Sequence, residues 1–345
     1  MKPMNLILAS VSMLHILAAC GAPTAPVPDQ FTTAPIAGVE VVTMYSGRTE
    51  ELVAPLIERF EKASGVDVEV RYGSSPEMAA TLLTEGANSP ADIFYAQDPA
   101  SLGSVADLMT PLPESVLSLV PDSFRDPDGL WVGVTMRSRV LAYNPELVAE
   151  EDLPASYKDL VDPEWSGLVG VAPTNGSFVA FVAAMILIEG DEATLEWLQG
   201  LAANDPLTFD GNAPIAAAVD AGDIAVGLIN HYYLSELAAE QGGVTAQNHF
   251  FGQPDAGSLV MPSGISMLAT AQNPVSATRL IMFLLSAESQ AYFAETNFEY
   301  PVVAGVPAPE GVPALETLVS PSLSTIDVAS VLDRATDLIA EAGLV

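Results

Sequence analysis

From residue 39 onward, apolar runs of strand length alternate with segments of helical periodicity, and that alternation leaves few folds open. Residues 39–45 and 66–72 read as strands, and between them Leu52, Val53, Leu56, Ile57 and Phe60 recur at helical spacing. A helix at 78–85 follows, then strands at 92–95, 130–136, 140–143 and 168–171. Helices at 177–188, 192–201 and 214–221, a strand at 224–229 and a last helix at 328–342 complete the pattern, with a Pro/Gly-rich surface crossing at 301–313. Strands alternating with helices predict an α/β architecture with mainly parallel sheets. In such sheets ligands sit beyond the carboxyl ends of strands, where helix N-termini present free N–H groups. Three loops occupy that position: Ser46-Gly-Arg-Thr49, Pro173-Thr-Asn-Gly-Ser177 and Asn230-His-Tyr-Tyr233.

The first 38 residues do not read as part of this fold. Lys2 precedes an apolar run over 6–19 that closes on Leu17-Ala-Ala-Cys20, as in a lipoprotein signal whose cysteine is lipidated. A secretory signal with an incidental cysteine is the alternative. Either way the expected destination is extracytoplasmic, in the periplasm or at the cell surface. Residues 21–38, rich in Pro, Ala and Thr, would form an extended tether of about 50 Å between anchor and body. Cys20 is the only cysteine, so a disulfide framework and a thiolate metal site are both excluded. The roughly 300 residues that remain suffice for two lobes.

Eleven Lys and Arg stand against 44 Asp and Glu, a net charge of −33, which excludes nucleic acid as a partner. Such a surface also repels anionic headgroups and is common in saline habitats. With cations so scarce, each arginine near a candidate site is informative. Catalysis finds little to work with. After Cys20 the chain keeps only His231 and His249, with no Gly-x-Ser-x-Gly elbow and no His-Glu-x-x-His, so an enzyme is not expected.

Tyr232 and Tyr233 stand where the strand at 224–229 should give way to a helix. Paired phenolates suit Fe(III), because they supply both hard oxygen and negative charge. Taken alone, such a pair at the start of a helix is more often one core ring and one surface ring. Period-2 alternation along 136–143 puts Arg137, Arg139, Leu141 and Tyr143 on one face, either as an anion-holding surface or as ion pairs between lobes. Arg48, in the first strand-to-helix loop, adds a third cation.

Taken together, Trp131-Val-Gly-Val, Arg139-Val-Leu-Ala-Tyr-Asn144, Pro173-Thr-Asn-Gly-Ser-Phe178, Asn212-Ala-Pro-Ile215, Gly227-Leu-Ile-Asn-His-Tyr-Tyr233 and Gly257-Ser-Leu-Val260 resemble, in order, the bacterial ferric-ion-binding proteins of ABC transporters. The resemblance runs from about residue 39 to about 309. It implies the two-lobe periplasmic-binding-protein fold, with the ligand in the cleft between lobes joined by crossing strands. Lobe I is expected over 39–139 plus 263–312, and lobe II over 140–262 plus 313–345. The resemblance assigns Fe(III) to Tyr232 and Tyr233, and a synergistic anion (carbonate, phosphate or citrate) to Asn175, Gly176, Ser177, Asn212 and Asn230. His231 is then a residue that supports a ligand from behind or caps the helix.

The other lobe departs from the family pattern. Thr49 and Gln97 stand where many members carry a ligating His and Glu. Fe(III) with two phenolates keeps a charge of about +1, so an anion held by Arg48, with Arg137 and Arg139 as further anion-holding groups, is expected to complete the site, and Tyr143 to serve as a further oxygen donor. The expected whole is a monomeric lipoprotein that delivers Fe(III) to an ABC permease. The alternative keeps the fold and binds an organic anion, a phosphonate or a ferric chelate without direct protein ligation of the metal.

Overall fold

The alternation read from the sequence is realised over residues 40–345, the part of the chain described in the computed structural model. The expectations placed on the signal segment 1–20, on Cys20 and on the tether at 21–38 lie outside the described residues. The first layer runs β1 (Val41–Ser46), α1 (Glu50–Ser64), β2 (Asp67–Tyr72), α2 (Ser75–Glu85), β3 (Ile93–Ala96), α3 (Pro99–Ser104), β4 (Met109–Thr110) and α4 (Glu114–Leu117). The long β5 (Trp131–Tyr143) leads to β6 (Val169–Val171), α5 (Gly176–Glu189), α6 (Asp191–Ala203), β7 (Leu207–Thr208), α7 (Asn212–Ala221), β8 (Val226–Asn230), α8 (Tyr232–Gln241) and β9 (Gln247–His249). The chain returns through β10 (Val260–Leu268), α9 (Pro274–Leu284), α10 (Ala287–Thr296) and β11 (Tyr300–Pro301), and closes with α11 (Thr325–Ser330) and α12 (Leu332–Glu341).

Strand order is β2-β1-β3-β10-β5-β8-β6-β7, with β4 on β10 and with β9 and β11 on β5. The β1/β2, β1/β3, β6/β8 and β6/β7 pairs are parallel, while β10 and β5 run antiparallel to all their neighbours, so the sheet is mixed where the alternation predicts mainly parallel pairing. The expected strands at 130–136 and 140–143 are one continuous strand. Its first half pairs with β10 up to Ser138, and its second half pairs with β8 from Arg139 onward. All thirteen of its residues are buried: strands pair with both of its edges, and α7 and α10 pack against it. Arg137 and Arg139 therefore lie where one half of the sheet hands over to the other.

The single closing helix expected at 328–342 is two helices, broken at Val331. The Ser330 hydroxyl donates to the Asp327 carbonyl and competes for the end of α11, a common way for serine to bend a helix. The break lets α11 lie against both α3 and α5 while α12 packs on α5 and α6. The core beneath is centred on α5, whose apolar residues are buried nearly all round. Tyr157, Phe181 and Trp197 meet edge to face there, with centroids 5.1 to 5.7 Å apart. The loops after β1, β3, β6 and β8 all leave carboxyl ends of strands, where the parallel pattern predicts a ligand.

Candidate functional site

Strand β8 is buried throughout, and Gly227 is required within it: a Cβ would stand 2.2 Å from the Ile215 side chain of α7. The strand ends at Asn230, His231 turns the chain, and α8 begins at Tyr232. The Tyr232 and Tyr233 rings lie 4.4 Å apart, inclined by 30°. Tyr232 is buried and Tyr233 half-buried. Burial first, then the neighbouring Tyr232, pushes the Tyr233 phenol well above its ordinary range, so ionisation needs a compensating cation.

His231 occupies the cap position of α8 but makes no capping bond. Its Nδ1 accepts from the Ser138 N–H at 3.2 Å, which leaves Nε2–H to donate to the Phe298 carbonyl at 2.9 Å. The ring stacks on Tyr300 at 4.5 Å. It does not take the capping role; its two bonds join the tyrosine helix to β5 and to the segment before β11. Burial lowers its pKa to about 4 and keeps it neutral. Phe298 holds a φ of 55°, a left-handed conformation that a bulky side chain seldom adopts.

A polar cradle faces the tyrosines. Asn175 caps α5, its Oδ1 accepting from the Ser177 N–H at 3.0 Å and from the Ser177 hydroxyl at 2.7 Å. Asn212 Nδ2 donates to Asn175 Oδ1 at 3.0 Å and to Ser177 Oγ at 3.1 Å. Gly176, the first residue of α5, is exposed, and a Cβ there would meet open space. Into this cradle β5 delivers Arg139, whose Nη1 donates to Ser177 Oγ, Asn212 Oδ1 and Asn230 Oδ1 at 3.1, 3.1 and 3.2 Å. Its Nε and Nη2 are buried without a partner. Burial with no carboxylate beside it lowers the guanidinium to about 9, opposed by Tyr233 and Tyr232. A buried cation held only by neutral oxygens has the charge and the free N–H groups to accept an anion.

The remaining candidates separate. Arg48 is not free for an exogenous anion: its Nη1 and Nη2 meet Glu299 Oε1 and Oε2 at 3.1 and 2.7 Å, with both side chains buried. Glu299 also accepts from the Thr135 hydroxyl at 3.1 Å. Arg137 donates Nη1 to the Gln97 carbonyl, and the Gln97 N–H is taken by Ser75 Oγ at 2.8 Å. Thr49 is exposed at the cap of α1. Tyr143 is not brought to the tyrosine pair; its hydroxyl donates to Gln247 at 3.0 Å and its ring belongs to the core around Tyr157. It shares the strand face of Arg139 but stands four residues, about 13 Å, farther along.

A cleft of about 650 Å³ lies over the cradle, lined by Gln97, Arg137, Asn175, Ser177, Asn230 and Tyr233, with α2 and α12 contributing apolar walls. Glu299 escaped the sequence reading because it lies 251 positions from its arginine, in a stretch with no motif.

The family profile described as bacterial extracellular solute-binding protein matches residues 86–319. Iron uptake protein A1 of Synechocystis sp. is 33% identical, over 95% of this chain and 93% of its own length. Iron-bound HitA from Pseudomonas aeruginosa superposes with a TM-score of 0.83 at 34% identity, covering 88% of this chain and 99% of that one. The Trichodesmium protein named IdiA or FutA, solved with iron and citrate ligands, superposes with a TM-score of 0.78 at 29% identity, covering 88% and 99%. Profile, relatives and fold agree, and the chain belongs to the bacterial extracellular solute-binding protein family, among relatives named for iron.

Proposed function

We propose that this protein binds Fe(III) outside the cytoplasmic membrane and delivers it to an ABC permease, as a carrier and not an enzyme. Tyr232 and Tyr233 are the metal ligands, and Arg139, Asn175, Gly176, Ser177, Asn212 and Asn230 hold the synergistic anion. The observation that carries this reading is the pairing of two phenols 4.4 Å apart with a buried guanidinium that has no carboxylate partner. The iron and citrate of the Trichodesmium relative support it. Binding releases a proton from each phenol, and Arg139 beneath them offsets the cost of the phenolate charges. A lipid at Cys20, the tether and a two-lobe body divided near residues 139 and 263 belong to the same reading.

Loading with Fe(III) plus citrate or bicarbonate should produce a visible phenolate-to-iron charge-transfer band that is lost in Tyr232→Phe and in Tyr233→Phe. Absence of a band with either anion would refute the reading. The cradle by itself also fits a metal-free organic anion or phosphonate, which would bind equally well with and without iron.

A further inference from the structure

If Fe(III) sits on Tyr232 and Tyr233, the site remains one negative charge short, because the two positions where family members supply a His and a Glu hold Thr49 and Gln97. The structure does not recruit either residue. Thr49 is exposed at the start of α1, and Gln97 is tied through its backbone to Ser75 and Arg137. A carboxylate is available on the tyrosine helix itself. Glu236 follows Tyr233 by three residues and Tyr232 by four, so all three side chains share one face of α8. It is half-buried, and among the described residues its carboxylate has neither a hydrogen bond nor an ion pair, whereas nearby Glu299 is fully engaged with Arg48 and Thr135.

The charged groups facing Glu236 come from three segments: Glu299 ahead of β11, Arg48 after β1, and Tyr233 and Glu240 on its own helix. Burial first, then repulsion from Glu299, holds its carboxyl up at about 7 against the pull of Arg48. A half-buried carboxylate without a partner is costly in the iron-free protein, and a trivalent cation beside it would remove that cost. Cβ atoms three and four residues apart on a helix are about 5–6 Å from each other, so the glutamate and the two phenols leave the helix from neighbouring positions.

We infer that Glu236 is a third protein ligand to the ferric ion, so that Tyr232, Tyr233 and Glu236 on one helix face supply all the protein donors. This rests on the Fe(III) reading above and adds to it. Three anionic oxygens neutralise Fe(III), and the synergistic anion then balances Arg139. A relative with its carboxylate in the other lobe must close its cleft to complete the protein ligand set; here one lobe holds the set alone.

The test uses the full chain loaded with Fe(III) and citrate, then with Fe(III) and bicarbonate, comparing wild type, Glu236→Gln and Tyr233→Phe. Glu236→Gln is expected to keep a phenolate band with a displaced maximum, to change the rhombicity of the ferric EPR signal, and to lose affinity on the order of 100-fold in chelator competition. Thermal unfolding of the iron-free variant checks that it is folded, and Glu236→Asp should recover part of the affinity if the first variant unfolds. Wild-type affinity, band and EPR signal in Glu236→Gln overturn the inference and leave the tyrosine reading intact. Weaker affinity with an unchanged band and EPR signal also overturns it, since that marks a charge acting at a distance. A wild-type protein with no band under either anion overturns both.

Discussion

Both terminal nitrogens of Arg48 are taken by Glu299, and this pairing decides what the first loop can do. A guanidinium sealed in a bidentate pair cannot reach out to a second anion without stranding a buried carboxylate. Under the proposed function the anion-holding role passes to Arg139, whose Nε and Nη2 both lack a partner among the described residues. Glu299→Gln should destabilise the iron-free protein by about 3–5 kcal/mol in chemical denaturation, because it leaves Arg48 buried and uncompensated. The double variant Arg48→Met/Glu299→Leu should recover most of that loss; equal damage from single and double variants would mean that packing dominates. Local sequence marked the tyrosines, the cradle residues and Arg139, and the fold brings the cradle residues together around Arg139. Local sequence could not separate Tyr143 from Arg139, because period-2 alternation reports which face a side chain takes and not which stretch of that face forms the site.

At the scale of elements, the junction from β8 to α8 carries the site, and its entry was legible: an apolar run, then Asn-His-Tyr-Tyr, then helical spacing. The attachment of that junction to the rest was not. His231 joins α8 to β5 through Ser138 and to the left-handed Phe298, and both bonds fix the imidazole as the neutral Nε2–H form. Its folded pKa, about 4, lies below the ordinary 6.5. Between those values the unfolded chain takes up a proton that the folded chain refuses. Stability should fall as pH drops from 6.5 toward 4, by up to about 3 kcal/mol, and level off below. Urea titrations across that window, with His231→Gln as the non-titrating comparison, should show the slope in wild type and a smaller one in the variant. The continuous β5 and the break at Val331 were likewise beyond local reading. Arg137 and Arg139 interrupt an apolar pattern that only their tertiary partners complete, and Val331 is where the chain, still packed on α5, turns from α3 to α6.

Over the whole molecule the net charge of −33 sets the electrostatics. The solvent-exposed ion pairs, such as Arg59–Glu288 and Arg334–Asp191, are too few to offset it and individually worth little. Screening should therefore stabilise the fold. Raising sodium chloride from 0.01 to 1 M shortens the Debye length from about 30 to about 3 Å, and Tm should rise across that range. A falling Tm would show that attractive pairs outweigh the repulsion. The sequence alone did not yield β10, α9 and α10, but it determined the alternation of the main strands and helices as far as the tyrosine pair, the loops at the carboxyl ends and the position of that pair. Each of these follows from periodicity or from residues adjacent in the chain. Only the tertiary structure decided how the site is wired. Arg139 reaches partners 38, 73 and 91 positions away, and Arg48 one 251 positions away. Such bonds depend on where the sheet places separate segments to within a few tenths of an ångström, and no local pattern of residues encodes that placement.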